Sequence, residues 1–116
     1  MSVRYQRILL TGGTGFVGGW LAPAIATAWP DADRVLLRRP GEQVTRGGWR
    51  AIDAEVTDSA AIGRIVADLK PDLVLHLAAQ AAIGATAELA EATWRVNFGG
   101  TLELAHACQR VSPATT

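Results

Sequence analysis

"LLTGGTGFVGGW", residues 9–20, places glycine at 12, 13, 15, 18 and 19 directly behind an apolar run. Glycine inside regular structure costs about 0.5–1 kcal/mol relative to alanine, so something must require bare backbone here. Two registers are satisfied at once. Gly12, Gly15 and Gly18 make G-x-x-G-x-x-G, while Gly13, Gly15 and Gly18 make G-x-G-x-x-G. Upstream, "YQRILLT" (5–11) reads as a short buried strand. Downstream, apolar residues at 16, 17, 20, 21, 24, 25 and 28 predict a helix with one broad apolar face, which Pro23 should kink or loosen. A glycine turn between strand and helix suits a dinucleotide phosphate. The early glycines permit a tight turn, Gly15 admits a pyrophosphate without a Cβ in the way, and Gly18 lets helix and strand pack closely. The first-turn N–H groups lack internal partners and favour an anion, and Thr11 and Thr14 add hydroxyl donors. The bland alternative is a plain flexible turn. A P-loop is excluded, because no Gly-Lys-Ser/Thr follows.

The rest of the chain alternates in the same way. "DRVLL" (33–37) is a second strand, "RRPGEQVTRGG" (38–48) a polar, turn-rich loop, and "WRAID" (49–53) a weaker third strand. Thr57 or Asp58 can cap a helix whose Ile62, Ile65, Val66 and Leu69 share a face. The nearly continuous apolar run "DLVLHLAA" (72–79) suits a strand buried on both faces of a parallel sheet. A long helix from Glu88 to Arg110 follows, interrupted in composition by Gly99-Gly100. Strands alternating with helices predict an α/β fold with parallel strands and right-handed crossovers. Residues 1–111 read as one NAD(P)-binding domain and 112–116 as a tail.

Composition narrows the function. The 11 basic and 11 acidic residues balance, which offers no bulk attraction to nucleic acid or an acidic membrane. Lys70 is the only lysine. A single cysteine, Cys108, excludes an internal disulfide framework and a cysteine-rich zinc site, and suits a reducing compartment. No signal-like opening or bilayer-length apolar run is present, so a cytoplasmic location is expected. His76 reads as a core or strand-end residue, His106 has no partner cluster, and no metal site is expected.

The second strand ends in Arg38-Arg39. An acidic residue at that end bonds the ribose 2′-hydroxyl of NAD, whereas arginine accommodates the 2′-phosphate of NADP. Guanidinium donors match phosphate oxygens in geometry and charge, so NADP is expected, with NAD the runner-up. Asp31 and Asp33 stand at the wrong end of the strand to read the ribose. Solvated surface arginines are the bland alternative.

"TGGTGFVG" (11–18), "HLAAQ" (76–80) and "NFGGT" (97–101), in that order, resemble the extended short-chain dehydrogenase/reductase family. Its members include NAD-dependent epimerases and dehydratases of nucleotide sugars. The likeness runs from about Arg7 to Arg110, and the double arginine is similar to the NADP-using GDP-mannose dehydratase branch. The resemblance implies a cofactor site at Gly12, Thr14, Gly15, Phe16, Val17 and Gly18, and at Leu77, Ala78, Ala79 and Gln80. By the same resemblance Glu55 bonds the adenine amino group and Val56 packs on the ring, although a plain loop carboxylate is the competing reading for Glu55. Asn97 supports the cofactor or nearby backbone, while Gly99 and Gly100 let the helix approach the sheet. Trp94 and Phe98 read as core. "AAIGATA" after Gln80 has alanines where relatives place polar residues.

Hydride transfer in that family needs Tyr-x-x-x-Lys, whose lysine lowers the tyrosine pKa. Here Tyr5 and Lys70 are the only tyrosine and lysine, and they cannot form the motif. The resemblance therefore implies the N-terminal part of an enzyme, inactive alone, whose parent acts on a nucleotide sugar. It implies a Rossmann-type parallel sheet of about four strands, order 3-2-1-4, with flanking helices, truncated relative to the full family fold. The fourth strand becomes an exposed apolar edge, which predicts self-association. A non-catalytic dinucleotide-binding or sensor module is the alternative.

Overall fold

The apolar run ahead of the glycines forms the centre of a parallel sheet in the computed structural model of the chain, which describes residues 3–78 and 86–116. Strand β1 (Arg7–Thr11) lies between β2 (Asp33–Arg38) and β4 (Leu73–His76), and β3 (Arg50–Asp53) pairs with the far side of β2. The order is β3-β2-β1-β4, as expected, and every pairing is parallel, with Leu9 opposite both Val35 and Val74. Ile8, Leu9 and Leu10 are wholly buried because helices cover both faces. Leu9, Val35 and Leu37 pack with α2 (Ser59–Leu69) and α4 (Thr101–Val111). Ile8, Leu10 and Leu36 pack with α1 (Phe16–Ala28) and Trp49.

Asp58 caps α2, accepting from the Ala61 N–H at 3.1 Å. Ile62, Val66 and Leu69 face inward with Ile65 at the margin, and each fully buried aliphatic side chain contributes about 1.5–3 kcal/mol. After β4 the chain forms α3 (Ala87–Trp94), a six-residue π-helical turn (Arg95–Gly100) and α4. Gly99-Gly100 thus does not end the expected helix. It closes the wide turn.

Two helical faces differ from expectation. In α1 the buried positions are Gly18, Ala22 and Ile25, while Phe16 and Trp20 are 85% and 75% exposed and Val17 is exposed as well. Gly18 meets the glycine turn and Ala22 and Ile25 pack on the sheet with Leu21 beside them, while Phe16, Val17 and Trp20 face outward. Trp94 and Phe98 are likewise exposed rather than core, stacked edge to face with ring centroids 5.8 Å apart. Pro23 does not interrupt α1; it removes one hydrogen bond, to the Gly19 carbonyl. At the end of the chain, Thr116 pairs beside β4, donating to the Asp72 carbonyl and accepting from the Val74 N–H. Ser112 and Thr115 hydroxyls donate to the Pro71 carbonyl.

Removing the α2 cap tests this account of local stability. Asp58→Ala is expected to lower unfolding free energy by about 1 kcal/mol, read as a shifted urea midpoint with an unchanged slope.

Candidate functional site

The glycine turn sits at the carboxyl end of the central strand. Gly12 has φ +69°, open to glycine and strained for other residues. A Cβ there would strike the Leu77–Ala78 backbone, so β1 and β4 close together only over a bare residue. At Gly18 a Cβ would run into the Gly13 backbone. Gly18 therefore seats α1 on the glycine turn itself, rather than on the strand as expected. Gly15 is the N-cap, and its Cβ would meet only the Gly12 carbonyl oxygen, at 3.6 Å. No side chain caps α1 and no acidic residue stands in its first turn, whereas α2 and α3 carry Asp58 and Thr86 caps. The uncapped amides carry the positive end of the helix dipole.

A groove of about 320 Å³ opens over this turn. Thr11, Gly12, Thr14 and Gly15 line it from the turn, Leu37 and Arg39 from the end of β2, Glu55 and Val56 from beyond β3, and Leu77 and Ala78 from beyond β4. A larger cleft of about 670 Å³ lies at the opposite end of the sheet, around Tyr5 and Trp29. Size alone would favour it. The smaller groove is the functional candidate, because ligands of open parallel sheets bind beyond the carboxyl ends of the strands.

The sequence-predicted residues distribute unevenly around the groove. Gly12, Thr14, Gly15, Glu55, Val56, Leu77 and Ala78 meet there. Phe16, Val17 and Gly18 form the first turn of α1. Ala79 and Gln80 lie outside the described residues. Asn97 lies in the π-helical turn, and its carbonyl accepts from the Thr101 hydroxyl at 2.8 Å. A Cβ at Gly100 would come within 2.7 Å of Val56, while one at Gly99 would meet nothing. Only Gly100 thus serves close packing, and against the loop after β3 rather than the sheet.

The two arginines part company. Arg38 binds Asp53 through Nε and Nη2, at 2.6 and 3.2 Å, and donates from Nη1 to the Val44 carbonyl. That hydrogen-bonded pairing holds the Asp53 carboxyl below its ordinary value. Arg38 fastens β2 to β3 and to the loop and does not line the groove. Arg39 does, with its side chain 68% exposed.

Three features escaped sequence reasoning. Arg46 Nε donates to the Gly13 carbonyl at 2.9 Å and Nη2 to that of Gly15 at 3.3 Å, clamping the turn from the loop. Glu42 accepts from the Thr14 hydroxyl at 3.0 Å. No sequence signal marks these contacts, which join residues about thirty positions apart. His76 is the third. Its Nδ1 lies 2.6 Å from Thr11 Oγ1 and its Nε2 2.9 Å from Thr101 Oγ1. Thr101 donates its single proton to Asn97, so it must accept from His76 Nε2–H. Nδ1 then accepts from Thr11, whose oxygen in turn accepts from the Ala78 N–H. The network assigns a neutral imidazole, and burial pushes His76 below its ordinary pKa in the same direction. Ends of β1, β4 and α4 are tied together beneath the groove.

Residues 8–115 match the NAD dependent epimerase/dehydratase family. The chain belongs to that family. It is 30% identical over 112 residues to dTDP-L-rhamnose 4-epimerase of Burkholderia thailandensis, covering 88% of this chain and 30% of the relative. It is also 30% identical over 118 residues to dTDP-glucose 4,6-dehydratase of Neisseria gonorrhoeae, covering 90% and 32%. The structure of Thermus thermophilus UDP-glucose 4-epimerase in complex with NAD superposes with a TM-score of 0.78 at 25% identity, over 91% of this chain and 34% of that one. The chain spans about a third of the length of these relatives.

The His76 relay has a pH signature. The folded state binds the His76 proton less readily than the unfolded chain, so stability from this group is full above about pH 6.5. It is lost as pH falls through the lower folded value. The urea midpoint is expected to fall between pH 7.5 and 5.5. His76→Gln, which keeps a donor toward Thr101 and does not titrate, is expected to flatten that dependence.

Proposed function

We propose that this chain is the NAD(P)-binding part of a nucleotide-sugar epimerase, dehydratase or reductase. The observation that carries the reading is the uncapped amino end of α1, held over the groove by a turn that only glycine can make. The residues fit a dinucleotide. Gly12, Gly15 and the first-turn amides of α1 take the pyrophosphate, since Gly15 adds no side chain above them and Arg46 steadies their carbonyls from behind. Val56 and Leu37 supply an apolar wall for the adenine, with Glu55 beside it as acceptor for the amino group. Leu77 and Ala78 border the path toward the nicotinamide. When bound, the cofactor supplies hydride transfer at its nicotinamide ring. Tyr-x-x-x-Lys is not found in these 116 residues, so the chain alone is expected to bind without turning over a sugar nucleotide.

Arg39 supports the NADP reading, and does so alone, because Arg38 is occupied by Asp53. NAD has an observation in its favour too: Glu42 lies 3.1 Å from Arg39 and offsets its charge. Relatives bearing dTDP-sugar names and the NAD-bound neighbour support the substrate class and the cofactor class. Self-association along the outer side of β4 belongs to the same proposal, since among the described residues only Thr116 pairs there.

Calorimetric titration with NAD+ and NADP+ tests the reading. Binding by the wild-type chain is expected. Gly15→Ala is expected to keep the fold within about 0.5 kcal/mol, since its Cβ makes one ordinary contact, yet to weaken dinucleotide affinity about tenfold or more by standing over the amides. Equal affinity in the two proteins, or no binding by either, would remove the proposal.

A further inference from the structure

The segment Arg39-Pro40-Gly41-Glu42 folds as a tight turn. Its Glu42 N–H donates to the Arg39 carbonyl at 3.1 Å, and Gly41 has φ +91°. Proline followed by a glycine of positive φ is the type II arrangement. That turn returns the Glu42 side chain over its own first residue, Arg39, which follows β2. One carboxylate oxygen, Oε1, accepts from Arg39 Nε at 3.2 Å and Nη2 at 3.1 Å; the other, Oε2, accepts from Thr14 at 3.0 Å. Glu42 therefore bridges the cation at the end of β2 and the glycine turn, across the groove between them. Burial pushes its carboxyl up, but the bonds from Thr14 and Arg39 outweigh this and leave it below its ordinary value, so it is ionised at neutral pH.

The charge balance of the groove follows. Among the described residues lining it, Arg39 is the one cation and Glu42 and Glu55 are anions. Arg38 is bound to Asp53, and Arg46 is directed at the carbonyls of Gly13 and Gly15. A ribose 2′-hydroxyl donates a hydrogen bond, which a carboxylate accepts. A 2′-phosphate offers acceptors and negative charge, so it must pull Arg39 away from Glu42 and then lie beside that carboxylate.

Resting on the dinucleotide reading above, we infer that Glu42 is a specificity-determining residue: through Arg39 and Thr14 it disfavours a ribose 2′-phosphate and favours a free 2′-hydroxyl. A double arginine that by itself suits NADP is engaged on both residues, Arg38 by Asp53 and Arg39 by the Glu42 of the turn, and so reads NAD. The charge that would attract the phosphate is present and already engaged.

The test measures dissociation constants for NAD+ and NADP+ with the 116-residue chain and three variants: Glu42→Gln, Arg39→Gln and the double substitution. Glu42→Gln keeps the shape and removes the charge. It is expected to shift the affinity ratio toward NADP+ by about tenfold, the scale of relieving one like charge at a partly solvated site. In the double variant that gain is expected to vanish, because Arg39 is what the phosphate would engage. A purely structural role would weaken both cofactors alike. If both bind and the ratio moves by less than about twofold in Glu42→Gln, the inference is overturned while the dinucleotide reading stands. If the wild-type chain binds neither cofactor, the dinucleotide reading falls, and the inference with it.

Discussion

No side chain fits between the turn after β1 and the backbone it touches. Gly12 lies against Leu77–Ala78 and Gly18 against Gly13, and both approaches are closer than a Cβ allows. The two contacts set where β4 ends relative to β1 and where α1 begins. Everything offered to a ligand depends on them: the bare amides, the floor of the groove, and the opening above Gly15. The backbone entropy lost by so many glycines is offset by placement that no other residue permits.

Around that turn the chain applies two different fastenings. Below it, the Thr11–His76–Thr101 relay joins two strand ends to the last helix, with each proton assigned and no donor left over. Above it, the loop between β2 and β3 reaches back with Arg46 and Glu42, and Trp49 anchors the loop's end by donating to the Ala22 carbonyl at 3.0 Å. The lower fastening is half-buried and neutral. The upper one carries the charges of Arg46 and Glu42 alongside the neutral Trp49 bond. Floor and rim are thus built from different chemistry.

Errors of sequence reading cluster where packing, not pattern, decides. Bulky apolar residues at helical spacing in α1 suggested the inward face, yet the buried positions are Gly18, which meets Gly13, and Ala22 and Ile25, with Leu21 partly buried beside them. Trp94 and Phe98 suggested core for the same reason, and they stack on each other outside it. α2 was legible because its sheet-facing positions are large and its Asp58 cap is local. Arg38 and Arg39 are adjacent and chemically equal in the sequence; they differ only because Asp53, fifteen residues on, lies across from one of them.

By itself the sequence determined the parallel α/β alternation and the glycine turn between β1 and α1, because hydrophobic period and turn chemistry act over a few residues, while three short motifs carried the family resemblance. Only the tertiary structure decided which arginine faces the groove, which carboxylate meets it, and how His76 is protonated. Those outcomes depend on pairs brought together from distant positions across the sheet, where a difference of one strand register or one side-chain direction exchanges a ligand contact for a structural tie.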